Sequence, residues 1–366
     1  MKKIISTLII LTFLNQANAQ KIFTSDITNF WTAYDSIQKV ENGKNEILEN
    51  LFLSKKTDGL NAFMQIKKFD NNDYLKTFEK YPKFWNSIRP NTLIDAKKIR
   101  TINKALTKLK KLYPNNSKGN IYYTIGTLKS GGTTNNEDLL LGIEKIVGNE
   151  NTIVSEFENE NLQKMFQFSK ATTIEQVTIH EFVHTFQKDG EINVLSKAIK
   201  EGSCDFVAEL TLNKKFNSHY IDYGFKNYEQ VQSQFKAEMF SQNFGNWFYN
   251  SDGSKNPDLG YFVGYVISKK YYENSKDKKK AIKDIIELDF NNERDIVQFL
   301  ERSKYFDEKI DVEQIKASYK ENQPKVVKIL DFENGFQNVK SDIKHIQIVF
   351  SKPMNDNISV NFSKFG

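Results

Sequence analysis

Residues 172–187 read Thr172-Thr173-Ile174-Glu175-Gln176-Val177-Thr178-Ile179-His180-Glu181-Phe182-Val183-His184-Thr185-Phe186-Gln187. Thr172 and Glu175 stand at capping-box spacing, so a helix is expected over 174 to 187. On it, His180 and His184 are four apart, which puts two imidazoles on one face about one turn apart, a geometry that chelates one ion. Glu181 follows the first imidazole directly, and its carboxylate is placed beside the ion's open position, where a bound water can lose a proton. Two histidines and a glutamate also meet at this spacing by chance. The flanks argue against chance here: Val177-Thr178-Ile179 and Thr185-Phe186 carry no charge, as a helix buried beneath a site floor requires.

A third ligand is expected downstream, in Glu201-Gly202-Ser203-Cys204-Asp205. Glu201 and Asp205 again share a helical face. Glu201 can reach the ion, while Asp205, one turn along, can accept the second N–H of His180 or His184 and fix its tautomer. These acids could instead be solvated, but Phe206, Val207, Ala208 and Leu210 mark a core helix. Buried unpaired carboxylates there would cost several kcal/mol, roughly, which a metal and a histidine offset. A pattern with a glycine and a third histidine soon after His184 is absent, since Thr185 to Gly190 contains no histidine, and His219 and His345 lie elsewhere.

Those positions resemble the gluzincins, the HExxH metallopeptidases of the thermolysin group whose third ligand is a glutamate in a downstream Glu-x-x-x-Asp helix. Glu201-Gly202-Ser203-Cys204-Asp205-Phe206-Val207-Ala208-Glu209 looks closer still to a group of secreted bacterial zinc proteases of unassigned substrate. That resemblance extends to Phe30-Trp31-Thr32-Ala33-Tyr34-Asp35, to the Gly131-Gly132-Thr133 loop and to Leu259 through Tyr265, and spans most of residues 20–320. In that group the position of Cys204 is usually small. The resemblance implies one Zn2+ held by His180, His184 and Glu201, with Asp205 behind them. It also implies Glu181 as general base, a peptide or protein substrate, and a Tyr or His completing an oxyanion site, for which Tyr261, Tyr265 and His219 are the candidates. Both tyrosines could equally be helix packing. A strand over Ile121 to Leu128 and its glycine-containing loop are expected to bind extended substrate by main-chain pairing, although a plain hairpin turn would also explain the glycines.

The remaining chain sets the frame. At 366 residues, with 27% charged and 39% hydrophobic residues, it is long enough for a catalytic domain with an appendage and is an ordinary globular composition. Met1 to Gln20 carries two lysines, an apolar run Ile4 to Leu14 and Ala17-Asn18-Ala19, which reads as an export signal over residues 1–19 cleaved after Ala19. The run is short for a membrane anchor, and no cysteine for lipid attachment stands beside Gln20, so a secreted or periplasmic protein without stable membrane insertion is expected. A formal charge of +6, two of it in the leader, and scattered lysines argue against nucleic-acid binding. The single cysteine, Cys204, excludes an intramolecular disulfide framework.

Helices are expected over 25–37, 45–69 and 92–112. Strands at 121–128 and 139–147 flank a flexible loop, Ser130 to Thr134, and further helices follow near 194–213, 226–241, 258–273 and 277–288. Past Pro324 the alternation in Val326 to Phe336 and His345 to Met354 is β-sandwich patterning. It resembles the opening strands of bacterial Ig-like domains. The expected whole is an α+β protein: a mainly helical, zincin-like domain over 20–320 with a small sheet, and a partial Ig-like β segment over 324–366. A metal-stabilised binding or surface-attachment protein and a zinc amidohydrolase acting on a non-peptide amide are the competing functions. An intact Glu181 argues against the former. Oligomeric state is not legible.

Overall fold

Short polar residues start most helices, and the computed structural model shows them doing so. It describes residues 20–114, 119–168, 173–215, 218–250, 258–333, 335, 337–338 and 343–353. The leader expected over 1–19, Thr172 and the end of the expected Ig-like segment from Met354 lie outside them. The protein is mainly helical with a small mixed sheet and a separate two-stranded sheet, the α+β class expected. It divides into two compact units, residues 1–158 with 172–186, and residues 159–171 with 187–366.

In the first unit β1 (Ile22–Phe23) leads into α1 (Ser25–Ile37), α2 (Lys44–Leu51), α3 (Asp58–Lys67), α4 (Asn71–Lys80), α5 (Pro82–Thr92) and α6 (Ala96–Leu112). The helix expected over 45–69 is therefore two. The Thr57 side chain accepts the Leu60 N–H at 3.1 Å and restarts the chain as α3. Asp70 and Asp73 cap each other's backbone at the start of α4, Pro82 opens α5 where its missing N–H is not needed, and Asp95 accepts the Lys98 N–H at 2.7 Å ahead of α6. The core of these helices is aromatic. Phe30 meets Trp31, Phe52 and Phe78 edge to face, with ring centroids 4.9, 5.5 and 5.4 Å apart, arrangements that add about 0.5–1.5 kcal/mol each beyond burial.

The sheet runs β1-β2-β4-β3, with β2 Ile121–Thr124, β3 Gly132–Asn135 and β4 Asp138–Gly142. β1 and β2 pair in parallel, as do β2 and β4 (Ile121 opposite Leu139), while β3 runs antiparallel to β4 with Gly132 opposite Leu141. All four residues of β2 are buried, as a central strand covered on both faces should be. Both expected strands are shorter than their sequence readings. The stretch read as a flexible loop, 130–134, is in large part the terminal strand β3, and a tight turn with Asn136 in the left-handed region returns it to β4. After β4 comes a 3-10 turn, Ile143–Lys145, then α7 (Glu160–Phe168, in the second unit) and α8 (Ile174–His184).

The second unit continues with α9 (Val194–Leu212), α10 (His219–Lys226), α11 (Tyr228–Glu238), α12 (Leu259–Asn274), α13 (Lys278–Ile286), α14 (Glu293–Ser303) and α15 (Val312–Asn322). The helix expected over 226–241 is α11 alone, preceded by α10. The pairing of α9 with α12 forms its centre, and β5 (Val326–Ile329) pairs antiparallel with β6 (Ile348–Phe350) near its end. Among the described residues of the expected Ig-like segment this hairpin is the regular structure present, and Val326, Val327 and Ile348 on it are exposed.

One buried charge gives the first unit a measurable pH dependence. Asp26 on α1 is buried and accepts the Thr57 N–H at 3.0 Å and the Thr57 hydroxyl at 2.5 Å. Burial raises its pKa above 3.8 despite those bonds. The unfolded chain therefore releases this proton first, so Asp26 costs the fold nothing below pH 3.8 and progressively more as pH climbs from there to its native value. Asp26→Asn should flatten that decline in urea unfolding followed from about pH 3 to 7. An unchanged slope would show that burial does not dominate at this carboxyl.

Candidate metal and catalytic site

Helix α8 begins at Ile174 as expected and ends at His184, short of the expected Gln187. The cap is Thr173, whose hydroxyl accepts the Gln176 N–H at 3.4 Å while the Gln176 side chain accepts the Thr173 N–H at 3.2 Å. The box thus pairs Thr173 with Gln176 rather than Thr172 with Glu175. Ile179, Phe182 and Val183 are fully buried, and the Thr178 hydroxyl shares a 2.5 Å hydrogen bond with that of Tyr123 on β2. Phe186 packs on Phe182 with centroids 5.0 Å apart and on Tyr113 at 5.7 Å. The helix is fixed along three directions, which sets the direction of what it displays.

It displays the two histidines and Glu181. The Nε2 atoms of His180 and His184 stand 3.2 Å apart, with their rings inclined at 78°. Two nitrogens bound at 2.0–2.1 Å to one tetrahedral zinc would be about 3.3 Å apart. The observed separation is close to that value. Glu181 is half-buried and lies beside the terminal strand: a Cβ added at Gly132 on β3 would stand 3.7 Å from its carboxyl carbon. The sequence motif and the edge of the sheet thus belong to one place in the first unit.

The acidic residues sit in the second unit, on α9. Asn193 caps this helix: its side chain accepts the Ser196 N–H at 2.9 Å, and Ser196 Oγ accepts the N–H of Asn193 at 3.1 Å. Gly202, next to Glu201, lets α9 meet α12 backbone to backbone, since a Cβ there would stand 2.1 Å from the Tyr265 nitrogen. One on Gly264 would stand 1.6 Å from the Ala198 carbonyl oxygen. This crossing brings Tyr261 within the field of Glu201. Burial foremost, and then the Glu201 charge, hold the Tyr261 phenol well above its ordinary range. Asp258, just before α12, is raised mainly by burial; His219 lowers it and Glu201 raises it further. Asp205 is buried and accepts the Tyr220 hydroxyl at 2.9 Å. Burial, reinforced by Asp205, raises the Tyr220 phenol strongly, and the Tyr220 and Tyr261 rings lie 5.5 Å apart.

Tyr265 has different company. Its hydroxyl donates to Glu209 at 2.8 Å and accepts from Lys269 Nζ at 2.9 Å, and its pKa is pushed up to about 12, chiefly by burial. Cys204 is fully buried, its thiol directed at the Gln187 amide oxygen at 3.5 Å and the Lys200 carbonyl at 3.4 Å. Within the second unit, then, Glu201 shares its surroundings with Tyr261, Asp258 and His219, and Asp205 with Tyr220, whereas Tyr265 belongs to an ion-paired cluster. Tyr220 and Asp258 were not singled out in the sequence. Neither sits in a spacing pattern, and only the packing of α10 and α12 against α9 makes them neighbours of the acids.

Comparison with known proteins finds no family model, no curated protein and no solved structure that matches this chain.

The glycine crossing offers a direct test. Gly264→Ala forces a methyl group into the Ala198 carbonyl and should cost at least ~2 kcal/mol in urea unfolding, since backbone cannot yield as a side chain tip can. A change under ~0.5 kcal/mol would mean that α9 and α12 pack less closely.

Proposed function

We propose that the protein is a zinc-dependent metallopeptidase of zincin type, in which His180, His184 and Glu201 hold the metal and Glu181 is the general base. The observation that carries this reading is the 3.2 Å separation of the two Nε2 atoms on a helix whose next residue, Glu181, adjoins the terminal strand of the sheet. Zinc held there supplies a Lewis acid that lowers the pKa of water from 15.7 toward 7.

Glu181 takes the proton of the attacking water and returns it to the leaving amine. Strand β3, at the end of the sheet, offers main-chain donors and acceptors along which an extended peptide can lie, its scissile carbonyl brought toward Glu181. Charge developing on the carbonyl oxygen calls for a donor. Of the two tyrosines, the surroundings favour Tyr261, which shares the field of Glu201, over Tyr265, whose hydroxyl is occupied by Glu209 and Lys269. Asp205, held by Tyr220, is assigned the orienting of a histidine ligand.

The leader over residues 1–19 supports export, so a secreted or periplasmic peptidase is proposed, with peptides or unfolded proteins as substrates. No helix among the described residues is long and apolar enough to cross a membrane. The hairpin of β5 and β6 is assigned to an Ig-like segment on the alternation of its sequence.

Glu181→Gln should leave one zinc per chain while hydrolysis of unfolded protein falls by at least ~100-fold, and His184→Ala should lose the metal itself. Metal analysis and turnover on a peptide library read both. Wild-type protein that binds zinc yet cleaves no peptide would favour a binding protein or a non-peptide amidohydrolase. Protein that binds no zinc would end the reading.

A further inference from the structure

The fully buried carboxylate of Glu144 has no part in the chemistry above, yet both of its oxygens are directed at one segment. Oε2 accepts the Gly126 N–H at 3.0 Å and Oε1 accepts the Leu128 N–H at 3.1 Å. That segment joins β2 to the terminal strand β3. Leu128 is held at φ +65°, a left-handed conformation that a branched side chain avoids and that persists only where the surroundings enforce it. Gly126 leaves little room for a side chain. An added Cβ would come within 3.1 Å of a Glu144 oxygen and 3.2 Å of the Phe63 ring.

From the clamp the path to Glu181 is short and continuous. Lys129 donates to the Lys68 carbonyl at 2.7 Å and to Asp73 at 3.1 Å, and Ser130 Oγ donates to the Gly132 carbonyl at 2.8 Å. The Gly142 N–H donates to the Gly131 carbonyl at 2.9 Å. Gly132 is where β3 meets the general base. A carboxylate with two acceptor oxygens can hold two N–H groups two residues apart at once, which a water or a hydroxyl cannot do with the same rigidity.

We propose that Glu144 is a positioning residue for substrate: by clamping Gly126 and Leu128 it sets where β3 begins, and so the register in which an extended peptide pairs along β3 beside Glu181. This rests on the peptidase reading. A merely structural Glu144 would, when altered, depress activity on every substrate alike. A register-setting Glu144 matters only to substrates long enough to pair along the strand.

Glu144→Gln keeps the volume and one acceptor but turns an NH2 toward an N–H. Gly126→Ala keeps Glu144 intact but makes its carboxylate and the Phe63 ring give by a few tenths of an ångström, which shifts the clamp. Each variant, zinc-loaded, is assayed on an internally quenched peptide of about eight residues and on a blocked dipeptide amide that reaches little beyond the scissile bond. The expected result is a KM raised ~10-fold or more on the long peptide, with kcat within ~3-fold, and little change on the short one. Should Glu144→Gln fail to fold, Gly126→Ala alone decides. Unchanged kinetics, or equal losses on both substrates, with an active wild type would overturn the role of Glu144 and leave the peptidase reading standing. A zinc-loaded wild type inert on both would overturn the two together.

Discussion

The constraint on which the rest depends is that α8 must bury one face completely while turning two imidazoles from another toward a common point. Ile179, Phe182 and Val183 leave no exposed apolar surface on the first face, and the Thr178 hydroxyl, joined to Tyr123, ties the helix to the central strand of the sheet. A helix free to roll by a few tens of degrees would carry His180 and His184 away from any fixed ion. Anchored as it is, the 3.2 Å between their nitrogens is a property of the scaffold as much as of the side chains, which is what preorganisation of a metal site requires.

The second unit solves a related problem with glycine. Glu201 and Asp205 lie on a helix whose inner face is packed, and acids there need partners close by. Gly202 and Gly264 remove the side chains that would hold α9 and α12 apart. Tyr261 and Asp258 can then surround Glu201 with protonatable groups, while Tyr220 satisfies one oxygen of Asp205. Phenols raised by burial stay protonated across the neutral range, so they serve as donors to a carboxylate or to an oxyanion and do not add to the negative charge.

Much of this was legible in the sequence, and the parts that were not share physical causes. Helix α8 and its pair of histidines could be read because their signal is local: spacing on one helix and uncharged flanks. Helices α9, α12 and α13 follow from apolar periodicity in the same way. The break at Thr57 was hidden because amphipathic character continues on both sides of it, and only the hydroxyl bond to Leu60 reveals a new start. Strand β3 read as a flexible loop because Gly132-Thr133-Thr134-Asn135 has no apolar alternation. A terminal strand pairs on one side only and tolerates such residues. Tyr220, Asp258 and Glu144 act through partners distant in sequence, which no spacing rule reports. Val326 to Ile329 forms a strand as expected, but three of its four residues are exposed, and whether such a strand is covered is not written in its own pattern.

X-ray absorption at the zinc edge of the purified protein separates a shell of two imidazoles and a carboxylate from one that includes a thiolate, because Cys204 offers a sulfur on the same helix as Glu201. The expected result is a first shell of nitrogen and oxygen alone near 2.0–2.1 Å, with outer-shell scattering from two imidazoles. A sulfur contribution near 2.3 Å, lost in Cys204→Ala, would assign the ion to a thiolate-bearing structural site and contradict the catalytic account.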